Sequence, residues 1–100
     1  MAYSLKLHEE RVIRYLREFP SLSRQCRIRL FAHLHEDLGE HGDRFRSVPG
    51  RRVAAEAPYF WYQLVLKDND GDGRIRQFSF IVDDSAAAFG VLQVEYVEVV

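Results

Sequence analysis

Cysteine occurs once in these 100 residues, tryptophan and methionine once each, lysine twice and proline three times. Each shortage excludes something. A lone Cys26 closes no internal disulfide, and such sparing use leans towards a reducing, intracellular setting. No apolar run approaches the ~20 residues of a membrane-spanning helix, and the opening MAYSLKLHEE lacks the apolar h-region of a secretory signal. The expectation is a soluble, cytoplasmic protein without membrane association. One hundred residues leave no room for a second core, so 1–100 reads as a single domain. A content of 47% hydrophobic and 13% aromatic residues is that of a globular chain.

What is present in excess is arginine, twelve against two lysines. Residues 1–52 hold eleven basic groups against seven acidic ones, and residues 53–100 hold three against eight. The halves therefore carry +4 and −5, which gives the net charge of −1. Such an asymmetry permits an anionic partner on one side, although nucleic-acid binders are usually basic overall.

The periodicity changes along the chain. AYSLKL alternates Tyr3, Leu5 and Leu7 against Ser4 and Lys6, the period of a short strand. HEERVIRYLREF switches to helical spacing, with Val12, Ile13, Leu16 and Phe19 on one face and Glu9 and Glu10 at its start. Pro20 ends that helix, Ser21 is placed to cap a second, and Leu22, Cys26, Leu30, Leu34 and Leu38 form the second stripe. Gly39 and Gly42 predict its end. From Phe45 to Val53 the chain reads as irregular, with a short strand starting near Arg52.

KDNDGDGRIRQFS carries the front of an EF-hand loop, with Asp68, Asp70 and Asp72 alternating before Gly73. A calcium-binding module built on Asp68–Asp72 is one reading. The flanks favour another. YFWYQLVLK sets Phe60, Tyr62, Leu64 and Leu66 against Trp61, Gln63, Val65 and Lys67, and RIRQFSFIVDD sets Phe78, Phe80 and Val82 against Ile75, Gln77, Ser79 and Ile81. These are strands, whereas an EF-hand needs helices, and Ser79 stands where the bidentate glutamate would be. Asp-Gly between alternating segments signals a hairpin turn. VLQVEYVEVV predicts a last strand with Leu92, Val94 and Tyr96 inward and Val97 outward.

The expected architecture is α+β, of type β-α-α-β-β-β(-β): two layers, a helix hairpin packed on one face of an antiparallel sheet. The other face stays open, and its Trp61, Val65, Ile75, Ile81 and Val97 predict an apolar patch suited to a protein partner. Cys26, on the stripe of the second helix, reads as a buried structural thiol. His33, Asp37 and His41 share a helical spacing with His35 nearby, but a solvated face is the reading there and no metal or cofactor is expected.

A strand, helix, proline corner, helix and small antiparallel sheet in this order resembles the RelE/ParE toxin superfamily of toxin–antitoxin systems. MAYSLKLHEERVIRYLREFP is similar to that superfamily's start, and GRRVAAEAPYFWYQLVL to the segment where a basic pair precedes the central strand. The resemblance implies a toxin-type protein neutralised by a cognate antitoxin and acting on ribosome-bound mRNA or on gyrase. It also implies arginine on the central strand, and Tyr59–Leu66 has none. Cleavage by 2′-OH attack needs a base, an acid and cations for the developing phosphate charge, so no catalytic set is assigned. The candidate contacts to nucleic acid or to an acidic partner are Arg44, Arg46, Arg51 and Arg52, in the segment entering the sheet, with Trp61 on the open face. Only Asp43 offsets these arginines in the local sequence, so they are expected to be solvated and to present a positive field.

Overall fold

Alternating segments become strands and the wider stripes become helices in the computed structural model, which describes residues 2–54 and 56–100. Strand β1 (Ser4–Leu7) leads into helix α1 over residues 9–17, where Glu9–Arg14 is wound in the wide π form and Tyr15–Arg17 in the α form. His8 caps it, its Nδ1 accepting the Arg11 N–H at 3.1 Å, and Val12 and Leu16 face the core. Helix α2 covers residues 24–40, with Arg24–Leu34 in α and His35–Glu40 in π geometry. It buries Cys26, Leu30, Leu34 and Leu38.

Two expectations about the helices are corrected. The cap of α2 is Ser23, whose Oγ accepts the Cys26 N–H at 3.1 Å; Ser21 sits at φ +67 and turns the chain out of the Pro20 corner instead. Nor does α2 stop at Gly39. It continues to Glu40, and Gly42 opens a third short helix, α3 (Gly42–Arg46), so Arg44 and Arg46 are helical rather than in a loop. Both glycines meet Tyr3, and at Gly42 the approach is too close for a side chain. Gly39 accepts the Tyr3 N–H at 2.6 Å, and a Cβ on Gly42 would stand 2.8 Å from the Tyr3 ring.

Strands β2 (Tyr59–Lys67), β3 (Ile75–Asp83) and β4 (Val91–Val99) form the expected antiparallel meander, with a 3₁₀ turn, Ala87–Phe89, between the last two. The sheet order is β1-β4-β3-β2, and β1 lies parallel to β4. The sheet is therefore mixed, because β1 reaches it only through the helices and no hairpin imposes antiparallel direction on it. The short strand expected near Arg52 is a single bridge to Phe60.

The helix layer covers one face of the sheet, as expected. Phe60, Tyr62, Phe78, Phe80, Val82, Leu92 and Val94 close against Val12, Leu16, Leu30, Leu34 and Leu38, and Phe45 of α3 meets Tyr62 edge-on at 5.3 Å. One inward assignment fails. Ile81 pairs with Tyr96 but Val82 pairs with Val94, so Glu95 is an extra residue, a β-bulge. Beyond it every side chain changes face, which puts Tyr96 on the open side and buries Val97, the reverse of the expectation. Arg11 holds the bulge, with Nε on the Glu95 carbonyl and Nη2 on its carboxylate, both at 3.0 Å.

Candidate functional site: the open face and edge of the sheet

The acidic loop is a hairpin turn. The Asp68 N–H donates to the Arg74 carbonyl at 3.0 Å and the Gly73 N–H to the Asp68 carbonyl at 2.8 Å, with Gly73 at φ +74. Two of its carboxylates, Asp68 and Asp72, diverge to partners within the chain. Asp68 is buried and accepts the Ser23 N–H at 2.8 Å and the Ser23 hydroxyl, which ties the turn to the start of α2. Burial alone would raise the Asp68 carboxyl, but the hydrogen bonds from Ser23 and Gly71 and the nearby Arg76 charge hold it below the ordinary range. Asp72 pairs with Arg76 at 2.6 Å, and Arg76 lies buried over the Phe19 ring. Among the described residues no group of three or more His, Cys, Asp or Glu is placed to hold a metal ion. Asp37 accepts from the Tyr62 hydroxyl, while His35 and His41 are exposed. Cys26 is buried, and that burial pushes its thiol up, away from the reactive thiolate.

The four arginines do not form one solvated patch. Arg46 donates Nε to Asp84 at 3.0 Å and Nη1 to the Tyr3 hydroxyl at 2.7 Å and to Asp43 at 3.1 Å; Tyr3 in turn donates to Asp43. Arg52 donates to the same Asp84 oxygen at 2.7 Å and lies over the Phe60 ring. Asp84 is nearly buried, and the two guanidinium partners outweigh its desolvation and keep its carboxyl low. This network fastens β1, α3, the Arg52 bridge and the end of β3 to one another. It neutralises Arg46 and Arg52, so the expected uniform positive field is corrected to two available cations. One is Arg44, exposed on α3; the other is Arg51, which stacks on Phe45 and donates to the Trp61 carbonyl at 3.4 Å. Asp84 carried no sequence signal for this role, since its partners lie 32 and 38 residues away.

The side of the sheet away from the helices is open. A concavity of about 550 Å³ lies there, walled by Val48–Arg51 and floored by Trp61, Gln63, Ser79 and Glu98. The amides of Gln63 and Gln77 lean onto the Ser79 hydroxyl at 3.4 and 3.5 Å, which explains why this outward serine is buried. A second hollow of about 330 Å³ runs under Arg11 past Val53, Tyr59, Ile81 and Tyr96. Of the expected site residues, only Trp61 and Arg51 come together here. The bulge adds Glu98 to their concavity and Tyr96 to the second hollow, a change of face that the regular alternation of VLQVEYVEVV conceals.

β2 is also an edge strand. The Trp61 N–H donates to the Arg51 carbonyl at 2.8 Å and the Val53 N–H to the Tyr59 carbonyl at 3.0 Å, so residues 51–53 cover the start of this edge. Arg29 reaches the Lys67 carbonyl at 3.0 Å at its other end. No family model, curated protein or solved structure matches this chain.

Proposed function

We propose that this chain is a protein-interaction domain of the RelE/ParE type that acts by seating a protein partner, an antitoxin-like protein of the cytoplasm, on the open face of its sheet. The observation that carries this reading is the uncovered apolar surface. Tyr59 and Tyr96, 37% and 43% exposed, stand towards one end of the side away from the helices, and Val65 and Ile75, 59% and 69% exposed, towards the other, with Gln63 and Ser79 between the two pairs. Neighbouring exposed apolar groups mark interaction surfaces, and tyrosine and tryptophan are the side chains that most often anchor them. The test is capture from the cells that make the protein, with the wild type and with Ile75→Glu/Tyr96→Glu as bait. Both changes are outward and should leave the fold intact. The wild type should retain a partner that the double variant loses; equal recovery by both baits, or recovery of nothing, defeats the reading.

A second reading, action on mRNA at the ribosome or on gyrase, is favoured by one feature. Arg51 and Trp61 share the 550 Å³ concavity, pairing a cation with a stacking ring as single-stranded nucleic-acid sites do. Expression of the wild type alone should then arrest growth, and Arg51→Ala should relieve the arrest. Unimpaired growth with the wild type ends this reading.

A further inference from the structure

We infer that the concavity beside Trp61 is a cation site: it receives the guanidinium of an arginine on the partner protein, stacked on the Trp61 ring and paired with the Glu98 carboxylate. This rests on the protein-interaction reading above and names the side chain that anchors the partner.

Strand register brings the two groups to one place. Gln63 pairs with Ser79 and Ser79 with Glu98, a polar row across β2, β3 and β4. Trp61, Ile81 and Tyr96 form the neighbouring row on the same face. Trp61, Gln63, Ser79 and Glu98 all line the concavity of about 550 Å³, with Pro49 and Gly50 in its wall. The bulge at Glu95 is what turns Glu98 to this side.

Both groups are unclaimed. Arg46, Arg51, Arg52 and Arg76 each lie over a ring of this chain, at 5.1–5.9 Å. Tryptophan attracts cations more strongly than those rings do. Yet Trp61 has neither a cation nor another ring against it among the described residues. Glu98 is exposed and has no hydrogen bond or ion pair among them, whereas Glu95 is held by Arg11. The Gln63 amide nitrogen is directed at Ser79, which leaves its carbonyl oxygen as a further acceptor.

Two cations of the chain lie nearby, and neither fills the site. Arg51 belongs to the wall, but its guanidinium lies over Phe45 and donates to the Trp61 carbonyl. Its charge also acts on the Tyr62 hydroxyl, so it sits at the sheet edge towards the helices. Lys67 is opposite Ile75, outside the lining. The other carboxylates of these three strands are Glu95 and Asp83, and their sign only adds to the preference for a cation.

Arginine fits what remains. Its guanidinium is planar, stacks flat on an aromatic ring, and presents N–H donors in a fork that a carboxylate accepts in pairs. A phosphate would meet Glu98 with like sign. Arginine is also among the side chains that most often anchor an interface.

The probe is the capped tripeptide Ala-Arg-Ala, beside forms with lysine or the neutral isostere citrulline in place of arginine, titrated into the full chain. Trp61 is the sole tryptophan, so its emission reports this site, and amide shifts at Gln63, Ser79 and Glu98 locate the contact. The arginine peptide should bind saturably and at least roughly tenfold tighter than the citrulline form at low salt, the difference shrinking as salt rises. Glu98→Gln should remove that preference at an unchanged thermal midpoint, and Trp61→Leu should weaken the arginine peptide more than Trp61→Phe does. A partner captured by the wild type should be lost by Glu98→Gln bait. The inference is overturned if the arginine and citrulline peptides bind alike or not at all, or if guanosine monophosphate quenches Trp61 and the arginine peptide does not. It is also overturned if the captured partner survives Glu98→Gln; loss of that partner with Ile75→Glu/Tyr96→Glu would then leave the open face standing as the binding surface. Capture of nothing, beside saturable and Glu98-dependent arginine binding, would end the protein-interaction reading while the cation site stands.

Discussion

The two faces of β2, β3 and β4 use similar residue types to opposite ends. Inward, Phe60, Tyr62, Phe78, Phe80 and Val82 are at most 1% exposed, while outward Val65, Ile75 and Tyr96 keep 43–69% of their surface in water. Apolar character therefore does not decide which face is covered. The stripes of α1 and α2 do, because they must bury Val12, Leu16, Leu30, Leu34 and Leu38 against one side of the sheet only. The faces also treat polar groups differently. Asp68, Asp84 and Tyr62, once buried, are satisfied within the chain, as the cost of an unpaired buried group requires. Arg76 is the partial exception, with its guanidinium on Asp72 but its Nε unpartnered.

The sharpest way to break this comparison is Phe80→Ala, which should lower stability by about 3–5 kcal/mol in urea titration, because the ring lies at the centre of the covered face. Next is Asp84→Asn. It strips the shared carboxylate from Arg46 and Arg52 and should cost about 2 kcal/mol, less than a fully buried pair, since these arginine side chains are 29% and 35% exposed. Its pH dependence follows from the direction of the shift. The folded carboxyl of Asp84 titrates below its unfolded value of roughly 4, so its contribution is present above that pH and fades as pH falls through the folded value. Urea midpoints from pH 7 down to pH 3 should fall less for Asp84→Asn than for the wild type; equal losses would show that Asp84 contributes no ionic stabilisation. The smallest effects belong to the outer side. Gln77→Ala should change stability by no more than about 0.5 kcal/mol, and a larger loss would mean that its amide over Ser79 belongs to the core. Millimolar calcium should leave the amide shifts of residues 68–73 and the thermal midpoint unmoved, because Asp68 is already bonded to Ser23 and Asp72 to Arg76; a saturable shift would return the loop to the metal reading.

Much of this was legible in the residues. Period-2 runs located β2 and β3 with their faces, the 3.6-residue stripes located both long helices, and Asp-Gly marked the turn. The misses share a cause. Gly39 and Gly42 resemble helix stops, but Gly42 makes room for the ring of the sequence-distant Tyr3, and Gly39 accepts the Tyr3 N–H on its carbonyl within a helix that continues. VLQVEYVEVV alternates without interruption, so nothing local reveals that Glu95 is extra; the bulge appears only when β4 is laid beside β3 with Arg11 holding it. Arg46 and Arg52 look like free charges because Asp84 lies more than thirty positions away.

By itself, then, the sequence determined what local physics determines: which segments are helix or strand, which face of each seeks burial, and where the chain must turn. The tertiary structure alone decided the parallel pairing of β1 with β4, the exchange of Tyr96 for Val97 on the open face, the neutralisation of two arginines and the place of β2 at the edge of the sheet. Periodicity and propensity act over a few neighbouring residues. Pairing, bulges and buried charges depend on groups that meet only when distant segments are packed together, and their free energies are set by that meeting.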